Sequence, residues 1–307
     1  MNHHWFAFSF PDFAYAFLSV LLEGVPFILI GTLLSGVIDQ FLPARVMTRL
    51  LPRSAFLGIC MSGALGIVFP MCECGIVPVI RRLIAKGLPV SNAVTYMLAA
   101  PIVNPIVAVS TYAAFRGQGA MEFTLLRFGL GFFVAVLAGF AVFNLPIRAV
   151  LKKKVIDSVA LPDSHSHESP ATFGKRVVAA TDAGVRDFLD VMVYFILGVA
   201  VASLFGTAVN QELFLPLALN DWLAVPSMMT LAGILSLCSS SDAFIAATFV
   251  SFPAVAKLAF MVFGPMMDLK LLFIYSAVFT RRFVVGLGVG LFVIIGLLCM
   301  RLSVILL

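Results

Sequence analysis

Long apolar runs separated by short polar segments dominate the chain. Charge-free runs occupy 54–72, 88–115, 128–147, 191–211, 222–241 and 283–300, and a run at 13–38 is interrupted only by Glu23. A run of about 20 apolar residues can cross the hydrocarbon core as a helix that satisfies its own backbone hydrogen bonds. The apolar and polar alternation of membrane strands is absent, so the pattern predicts membrane-spanning helices.

Composition strengthens this prediction. Of the 307 residues, 62% are hydrophobic and 11% are charged, and the mean hydropathy of +1.10 lies outside the range of soluble domains. We expect an all-α polytopic protein of the cell (inner) membrane, surrounded by the lipid bilayer. Residues 1–12 lack the basic start and small-residue cleavage site of a secretory signal peptide. The formal charge of +5 comes from short loops beside apolar runs, which indicates topology signals and no nucleic-acid partner.

A polar stretch divides the chain into two apolar parts. We predict a first transmembrane repeat at 13–147, a linker at 148–186 and a second repeat at 187–305. The linker begins with a basic cluster beside an apolar run, so the positive-inside rule predicts a cytoplasmic linker. Its His165 and His167 are a conceivable metal pair, but two histidines in a polar tract are more often filler.

The two apolar parts resemble each other. Four landmarks occur in the same order in both: LLEGVPFILIG (21–31) with FLDVMVYFILG (188–198), CECG (72–75) with SSSD (239–242), LPV (88–90) with FPA (252–254), and APIVNP (100–105) with GPMMDL (264–269). The pattern predicts about eight transmembrane helices in two structural repeats, each with broken helices or re-entrant hairpins at its centre. Paired interruptions in two repeats are typical of a transport site at the repeat interface.

The loop charges indicate the relative orientation of the repeats. Arg45, Arg49 and Arg53 make one loop basic, whereas Glu212 and Asp221 make its counterpart acidic. Loops of opposite charge favour opposite sides of the membrane. We therefore expect inverted repeats, with an extra crossing or re-entrant hairpin near 73–90 to reconcile this with eight spans.

The first central break reads FPMCECGIVP at 69–78. Pro70 and Pro78 cannot donate backbone hydrogen bonds, and Gly75 tolerates unusual dihedral angles, so we expect the stretch 70–78 to unwind. Unpaired backbone at membrane depth is tolerated where it is buried in protein or lines a watery cavity. The break therefore predicts a hydrated cavity.

This break also carries the most distinctive chemistry. Cys72 and Cys74 on non-helical backbone can turn both sulfurs toward one soft metal or metalloid. Glu73 between them is costly in a membrane unless it is paired, hydrated or protonated. Close packing is the alternative role for the two cysteines, and we prefer that role for Cys60 and Cys299. A disulfide between the neighbouring thiols would be strained.

The remaining breaks add further candidates. Cys238 is a candidate third thiolate, and whether Ser239, Ser240 and Ser241 bind substrate or only support packing stays open. Substrate binding is predicted for these residues: Cys72, Glu73, Cys74, Gly75, Asn104, Cys238, Ser239, Ser240, Ser241 and Asp242. Proton coupling is predicted for Glu73, Asp242 or Asp268.

Other polar residues in the apolar runs have two readings each. Asn104, between two prolines, either binds ligand or joins helices. Asp268 and Lys270 are expected to form an ion pair, which can be purely structural. Glu23 and Asp190 are matched by the repeat and are expected near the membrane faces, or as proton relays if they lie deeper.

The motifs PMCECGIVP, RRLIAKGLPVSNAVTYMLAAPIVNP and CSSSDAFIA resemble the ArsP-type permease family over roughly 14–145 and 183–303. The resemblance implies a bacterial inner-membrane protein of about eight spans that exports trivalent organoarsenicals, and Cys72 and Cys74 match the family's cysteine motif. Glu73 stands where relatives often carry a small residue, which leaves the substrate open. A mono-substituted trivalent arsenic has two exchangeable positions that two thiols can fill.

The sequence thus predicts a permease that exports a small thiophilic solute, most simply a trivalent arsenical, with no cofactor and no enzymatic activity. The alternatives are a transporter of a divalent metal cation or a small sulfur compound, and a membrane thiol redox protein. A Walker sequence is absent, so direct ATP hydrolysis is not expected. The oligomeric state, including a homo-oligomer, stays open.

Overall fold

The computed structural model describes residues 9–42, 52, 54–153, 155–156, 173–208 and 221–306. Within these ranges the regular structure is helical, apart from one isolated bridge between Leu151 and Phe279. The helices are α1 (Phe10–Phe41), α2 (Ala55–Val68), α3 (Ile76–Ala85), α4 (Val90–Ala99), α5 (Pro105–Ala114), α6 (Ala120–Phe143), α7 (Ile147–Val150), α8 (Phe173–Ala208), α9 (Asp221–Leu235), α10 (Asp242–Thr248), α11 (Ala254–Met266), α12 (Leu269–Tyr275) and α13 (Arg281–Leu306). The predicted all-α membrane fold is confirmed.

Five of these elements are long and apolar enough to cross a membrane. They are α1, α6, α8, α13 and the unit Ala254–Tyr275, in which α11 and α12 follow each other. Three further apolar helices in the described residues are shorter: α2, α5 and most of α9. Five of the about eight predicted spans are therefore long and apolar enough to cross a membrane. The other three spans stay a prediction.

Helices α1 and α8 pack against each other along much of their length. Glycines allow the close approach, because a Cβ on Gly24 would overlap with the ring of Phe195 and one on Gly36 would overlap with the carbonyl oxygen of Ala180. Small residues at helix interfaces are the usual basis of tight packing in membranes. This pair connects the beginnings of the two predicted repeats.

The helices after α1 and after α8 follow the same order. In each set a helix ends at a break (α2 and α9), and a short helix, a buried helix, another short helix and a long helix follow. Helix α4 contacts α2 and α6, and α11 contacts α9 and α13 in the same way. The order agrees with the sequence landmarks. The basic loop carrying Arg45, Arg49 and Arg53 lies outside the described residues, as does Glu212, so inversion stays a prediction.

Helices α4 and α11 form the centre of the core. Every residue from Ser91 to Ala99 is buried, and so is every residue from Val255 to Met266. Each helix begins directly after a proline, Pro89 or Pro253, with extended backbone. Proline suits this position because its missing N–H is not needed at a helix start. Apolar side chains such as Leu22, Val109 and Leu297 are exposed on the outside, as expected for lipid contact.

The beginning of the predicted linker is docked on the protein. Val150, Leu151 and Val155 are buried, and Leu151 pairs with Phe279 in the isolated bridge. Helix α8 begins at Phe173, within the stretch expected as linker, since charged residues on a helix face do not interrupt it. His165 and His167 lie outside the described residues.

Candidate functional site

The first central break is unwound as expected, over a shorter stretch. Helix α2 ends at Val68, and residues 69–75 are not helical before α3 begins at Ile76. Unwinding was predicted through Pro78, and that limit is wrong because Pro78 lies in the first turn of α3. The first turn tolerates proline, since its backbone N–H would have no intrahelical acceptor there.

The second break covers residues 236–241, between α9 and α10. It begins at Ser236, whose φ of 49° lies in the left-handed region that non-glycine residues rarely adopt. The Ser236 carbonyl accepts a hydrogen bond from Lys270 Nζ at 2.9 Å, and the Leu237 carbonyl accepts one at 3.3 Å. Lys270 therefore binds backbone carbonyls that the broken helix leaves without helical partners.

The two breaks meet at Glu73. Ser239 Oγ donates to Glu73 Oε2 at 3.1 Å, and Lys270 Nζ donates to Glu73 Oε1 at 3.2 Å. The Glu73 side chain is fully buried. Both carboxylate oxygens are therefore paired, and the acid that looked costly from the sequence is stabilised by residues of the other half.

Asp268 extends this cluster. Its Oδ1 accepts the backbone N–H of Leu271 at 2.7 Å and caps α12, and its Oδ2 lies 3.5 Å from Lys270 Nζ. The ion pair expected between Asp268 and Lys270 is present, with Glu73 as a second acid on the same ammonium group. The matching position in the first half, Asn104, caps α5 by accepting the N–H of Ile106 at 2.9 Å.

Arg127 was missed by the sequence analysis. It lies in α6 with 2% of its side chain exposed, and its Nη2 contacts Asp242 Oδ2 at 2.7 Å. The same guanidinium donates to the Ser239 carbonyl at 3.0 Å and to the Thr111 hydroxyl at 2.8 Å. The sequence feature that could have indicated it is its position as a single cation at the edge of a charge-free run. A charge buried there needs an acidic partner.

The five acids and bases of this buried charge cluster do not balance. The cluster comprises Glu73, Arg127, Asp242, Asp268 and Lys270. With all of them ionised it carries three negative and two positive charges. Asp242 Oδ1, Asp268 Oδ2 and Arg127 Nε make no hydrogen bond. Unsatisfied buried groups are uncommon and point to a proton, a water or a ligand.

Three thiols on the two breaks lie near Glu73 and Lys270 of this cluster. Cys74 is buried, Cys72 and Cys238 are half-buried, and all three are free of disulfides. Each thiol lies within electrostatic range of Glu73 and Lys270, and Cys238 lies within such range of Cys74. In the part of the chain that the structure describes, no group of three or more His, Cys, Asp or Glu side chains is arranged to hold a metal ion.

Cys72 also has a structural contact. Its Sγ accepts the backbone N–H of Gly75 at 3.4 Å and closes the turn before α3. Gly75 itself lies against α1, because a Cβ on Gly31 would overlap with the carbonyl oxygen of Gly75. Around the second break, Ser240 Oγ contacts Cys238 Sγ at 3.5 Å and Ser241 Oγ donates to the Cys238 carbonyl.

A second charged cluster lies toward the end of α3. Asp187 is 4% exposed in its side chain and accepts two hydrogen bonds from Arg82, at 3.0 and 3.2 Å, and one from Ser35 at 2.8 Å. Asp190 is 55% exposed and pairs with Arg81 at 3.4 Å. Glu23, its match in the repeat, is also exposed. The sequence did not indicate Asp187, which is buried between α8 and its partners on α1 and α3.

Comparison with known proteins gives a consistent result. The ArsP-type family profile described as "Predicted permease" matches residues 9–304. The UPF0718 protein YcgR of Bacillus subtilis is 38% identical over 280 residues, which cover 90% of this chain and 92% of that protein. A Streptococcus mutans protein, provisionally named a two-component membrane permease complex subunit, is 33% identical over 270 residues, which cover 87% of each chain.

No solved structure matches the chain. The family profile spans nearly the whole sequence, and both relatives are covered over most of their length. The apolar helices agree with a multi-pass membrane protein. The chain therefore belongs to the ArsP-type family of predicted permeases.

Proposed function

We propose that the chain is a secondary efflux permease for a small thiophilic solute, most simply a trivalent organoarsenical. One observation carries the proposal. Two helix breaks from different halves of the chain meet through Ser239 and Glu73, and free thiols lie on both breaks. Breaks at corresponding points of two repeats are where secondary transporters bind their substrates.

In this proposal Cys72 and Cys74 bind the metalloid. A trivalent arsenic with one organic group has two exchangeable hydroxide ligands. Two thiols replace both: two As–S bonds form, two As–O bonds break, and each thiol proton leaves with a hydroxide as water. Cys238 stands on the opposite break and is proposed as the accepting thiol when the solute moves on, by thiol exchange. Ser239 and Ser240 position the second break through Glu73 and Cys238.

We propose a proton as the coupling ion. Of the three predicted carboxylates, Glu73 has both oxygens hydrogen-bonded, whereas Asp242 Oδ1 has no hydrogen bond and Asp268 Oδ2 has only the Lys270 ammonium group at 3.5 Å. A proton on either aspartate would remove the excess negative charge of the buried charge cluster. The two aspartates are therefore better candidates than Glu73.

The proposed topology follows from the same elements. The five long units and the three shorter apolar helices are proposed as eight spans in two inverted repeats, in the inner membrane with a cytoplasmic linker. The proposed domain limits are 13–147, 148–186 and 187–305, with α8 beginning inside the linker stretch at Phe173. The provisional name of the Streptococcus mutans relative supports a second subunit for this chain as well. Copurification from native membranes would distinguish a different partner subunit from a homo-oligomer.

Export assays test the thiols directly. We expect methylarsenite transport by cells or everted vesicles that carry the double variant Cys72→Ser and Cys74→Ser to fall to the background level measured without the protein. Serine preserves a hydrogen-bond acceptor for the Gly75 N–H, so the turn before α3 is retained. Cys60→Ser, in the half-buried thiol of α2, is the matched control and is expected to transport normally.

The alternative substrates predict a different ranking. For a divalent cation or a small sulfur compound the acids matter more than the thiols, so Glu73→Gln would impair transport more than Cys72→Ser. The ammonium group of Lys270 at 3.2 Å from Glu73 disfavours a divalent cation at that carboxylate. Normal methylarsenite export by the double serine variant would remove the thiols from the mechanism. A redox protein would instead show cycling of the thiols between two oxidation states.

A further inference from the structure

A small cavity lies apart from the cysteines. Its volume is about 160 Å³, and it is lined by residues of α3, α8, the docked start of the linker and the turn after α12. The lining includes four charged side chains and one aromatic ring: Arg81, Lys152, Asp187, Asp190 and Tyr194. None of the residues proposed to bind the thiophilic solute belongs to this lining.

One wall of the cavity is fixed by backbone contacts. The N–H of Lys152 donates to the Val278 carbonyl at 3.1 Å, and the N–H of Thr280 donates to the Val150 carbonyl at 2.9 Å. The bridge between Leu151 and Phe279 lies between these bonds. The position of Lys152 is therefore set by the fold, unlike that of a lysine on a free linker.

The acids of the cavity are already neutralised. Asp187 accepts hydrogen bonds from Nε and Nη2 of Arg82 and from the Ser35 hydroxyl. Asp190 pairs with Arg81 at 3.4 Å. These pairs leave no uncompensated acid facing the cavity from α8.

Lys152 supplies the remaining charge. Its Nζ lies 5.6 Å from the centre of the Tyr194 ring, and it forms no salt bridge with any described residue. A cation–π contact stabilises an ammonium group without cancelling its charge. The cavity therefore combines a cation that has no acidic partner among the described residues with the apolar surface of Tyr194 and Val191.

From these features we infer that the cavity binds a small organic anion, a carboxylate or a phosphate ester, with an apolar or aromatic body. Lys152 pairs with the anionic group, and Arg81, which lines the cavity from α3, stays paired with Asp190. A cavity of about 150 Å³ in another protein accommodates benzene, so a ligand the size of benzoate fits. This site is independent of the proposed thiophilic substrate, and its test uses no arsenical.

Benzoate is a suitable probe, and benzamide is its uncharged counterpart of nearly the same shape. We expect isothermal titration of the purified full-length protein in detergent to give saturable binding of benzoate and no binding of benzamide at the same concentrations. Lys152→Gln should weaken benzoate binding by about 10 to 100-fold, because a charge-assisted hydrogen bond contributes about 1.5–3 kcal/mol. Lys153→Gln, at the exposed neighbouring lysine, is the matched control and should bind normally.

Reconstitution in nanodiscs distinguishes a soluble anion from a lipid headgroup, which share this chemistry. Weaker benzoate binding in phosphatidylglycerol than in phosphatidylcholine would identify the headgroup as the natural occupant. Equal binding in both lipids would identify a soluble anion, and both results support the site. Equal binding of benzoate and benzamide to the unmodified protein would overturn the proposal, as would equal weakening by Lys152→Gln and Lys153→Gln. Normal methylarsenite export by Lys152→Gln would separate this site from the thiols.

Discussion

Replacing Lys270 by methionine tests whether the buried charge cluster holds the two breaks together. Lys270 Nζ lies 3.2 Å from Glu73 and 3.5 Å from Asp268, and it also binds the Ser236 carbonyl at 2.9 Å. Methionine fills similar space without charge, so it leaves two buried carboxylates without their cation. Removing one partner of a buried ion pair typically costs about 3–5 kcal/mol, and we expect a loss in the upper part of that range.

Replacing Glu73 by glutamine should lower the free energy of unfolding by less than Lys270→Met does. In Glu73→Gln, Lys270 still has Asp268 and its carbonyl partners, and the amide oxygen can still accept from Ser239. The loss is then about one charge-assisted hydrogen bond, about 1.5–3 kcal/mol. In the double variant, Lys270→Met with Glu73→Gln, no charged Glu73 is left without its cation. Its loss of unfolding free energy should therefore be smaller than the sum of the two single losses, by about 0.5–3 kcal/mol.

Equilibrium unfolding of the purified protein in mixed micelles, followed by helical circular dichroism, measures these free energies. Lys86→Met is the matched control, because Lys86 pairs with Asp39 at 3.6 Å and is 24% exposed. A pair as close to solvent as this one contributes about 0–1 kcal/mol. The reasoning is refuted if Lys270→Met is no more destabilising than Lys86→Met, or if the double variant is strictly additive.

Two further predictions concern packing and charge near the breaks. Gly31→Ala should destabilise the protein by about 1–3 kcal/mol and reduce export, because the new Cβ would overlap with the Gly75 carbonyl oxygen. Gly286→Ala, with open space around its Cβ position, should be neutral in the same unfolding assay. Arg127→Met should destabilise by about 3–5 kcal/mol because it strands buried Asp242, and Arg127→Lys should retain part of that stability. Equal stability of the methionine and lysine variants would contradict the ion-pair role.

Much of the fold could be predicted because lipid imposes strong rules. A chain in hydrocarbon must satisfy its backbone hydrogen bonds internally, so the apolar runs predicted helices. Prolines and glycines predicted where those helices end. The order of elements after α1 and α8 followed the landmarks at CECG and SSSD. The exact ends were less predictable, since a proline such as Pro78 is tolerated in a first helical turn and marks no fixed limit.

The charged part of the site was harder to foresee. The sequence placed Glu73, Asp242 and Asp268 at breaks, yet gave no partner for the first two. Lys270 was expected to pair with its neighbour Asp268, and its longer reach to Glu73 depends on how the two halves dock. Arg127 stood outside every break, so only the general need of a buried charge for a partner could have indicated it.

The charge cluster also constrains how the site can open. Glu73 joins the breaks through Ser239 and Lys270, so any motion that separates the halves must first release these contacts. A thiol-bound solute adds a link within the first break but none to Lys270, whereas a proton on Asp268 weakens one of the two carboxylate contacts of this ammonium group. Protonation would therefore shift the Lys270 ammonium group toward Glu73 and away from Asp268. On this argument the proposed coupling proton would determine which carboxylate holds the Lys270 ammonium group. Asp268→Asn should remove the effect of protonation at Asp268 and uncouple the proposed export from the proton gradient.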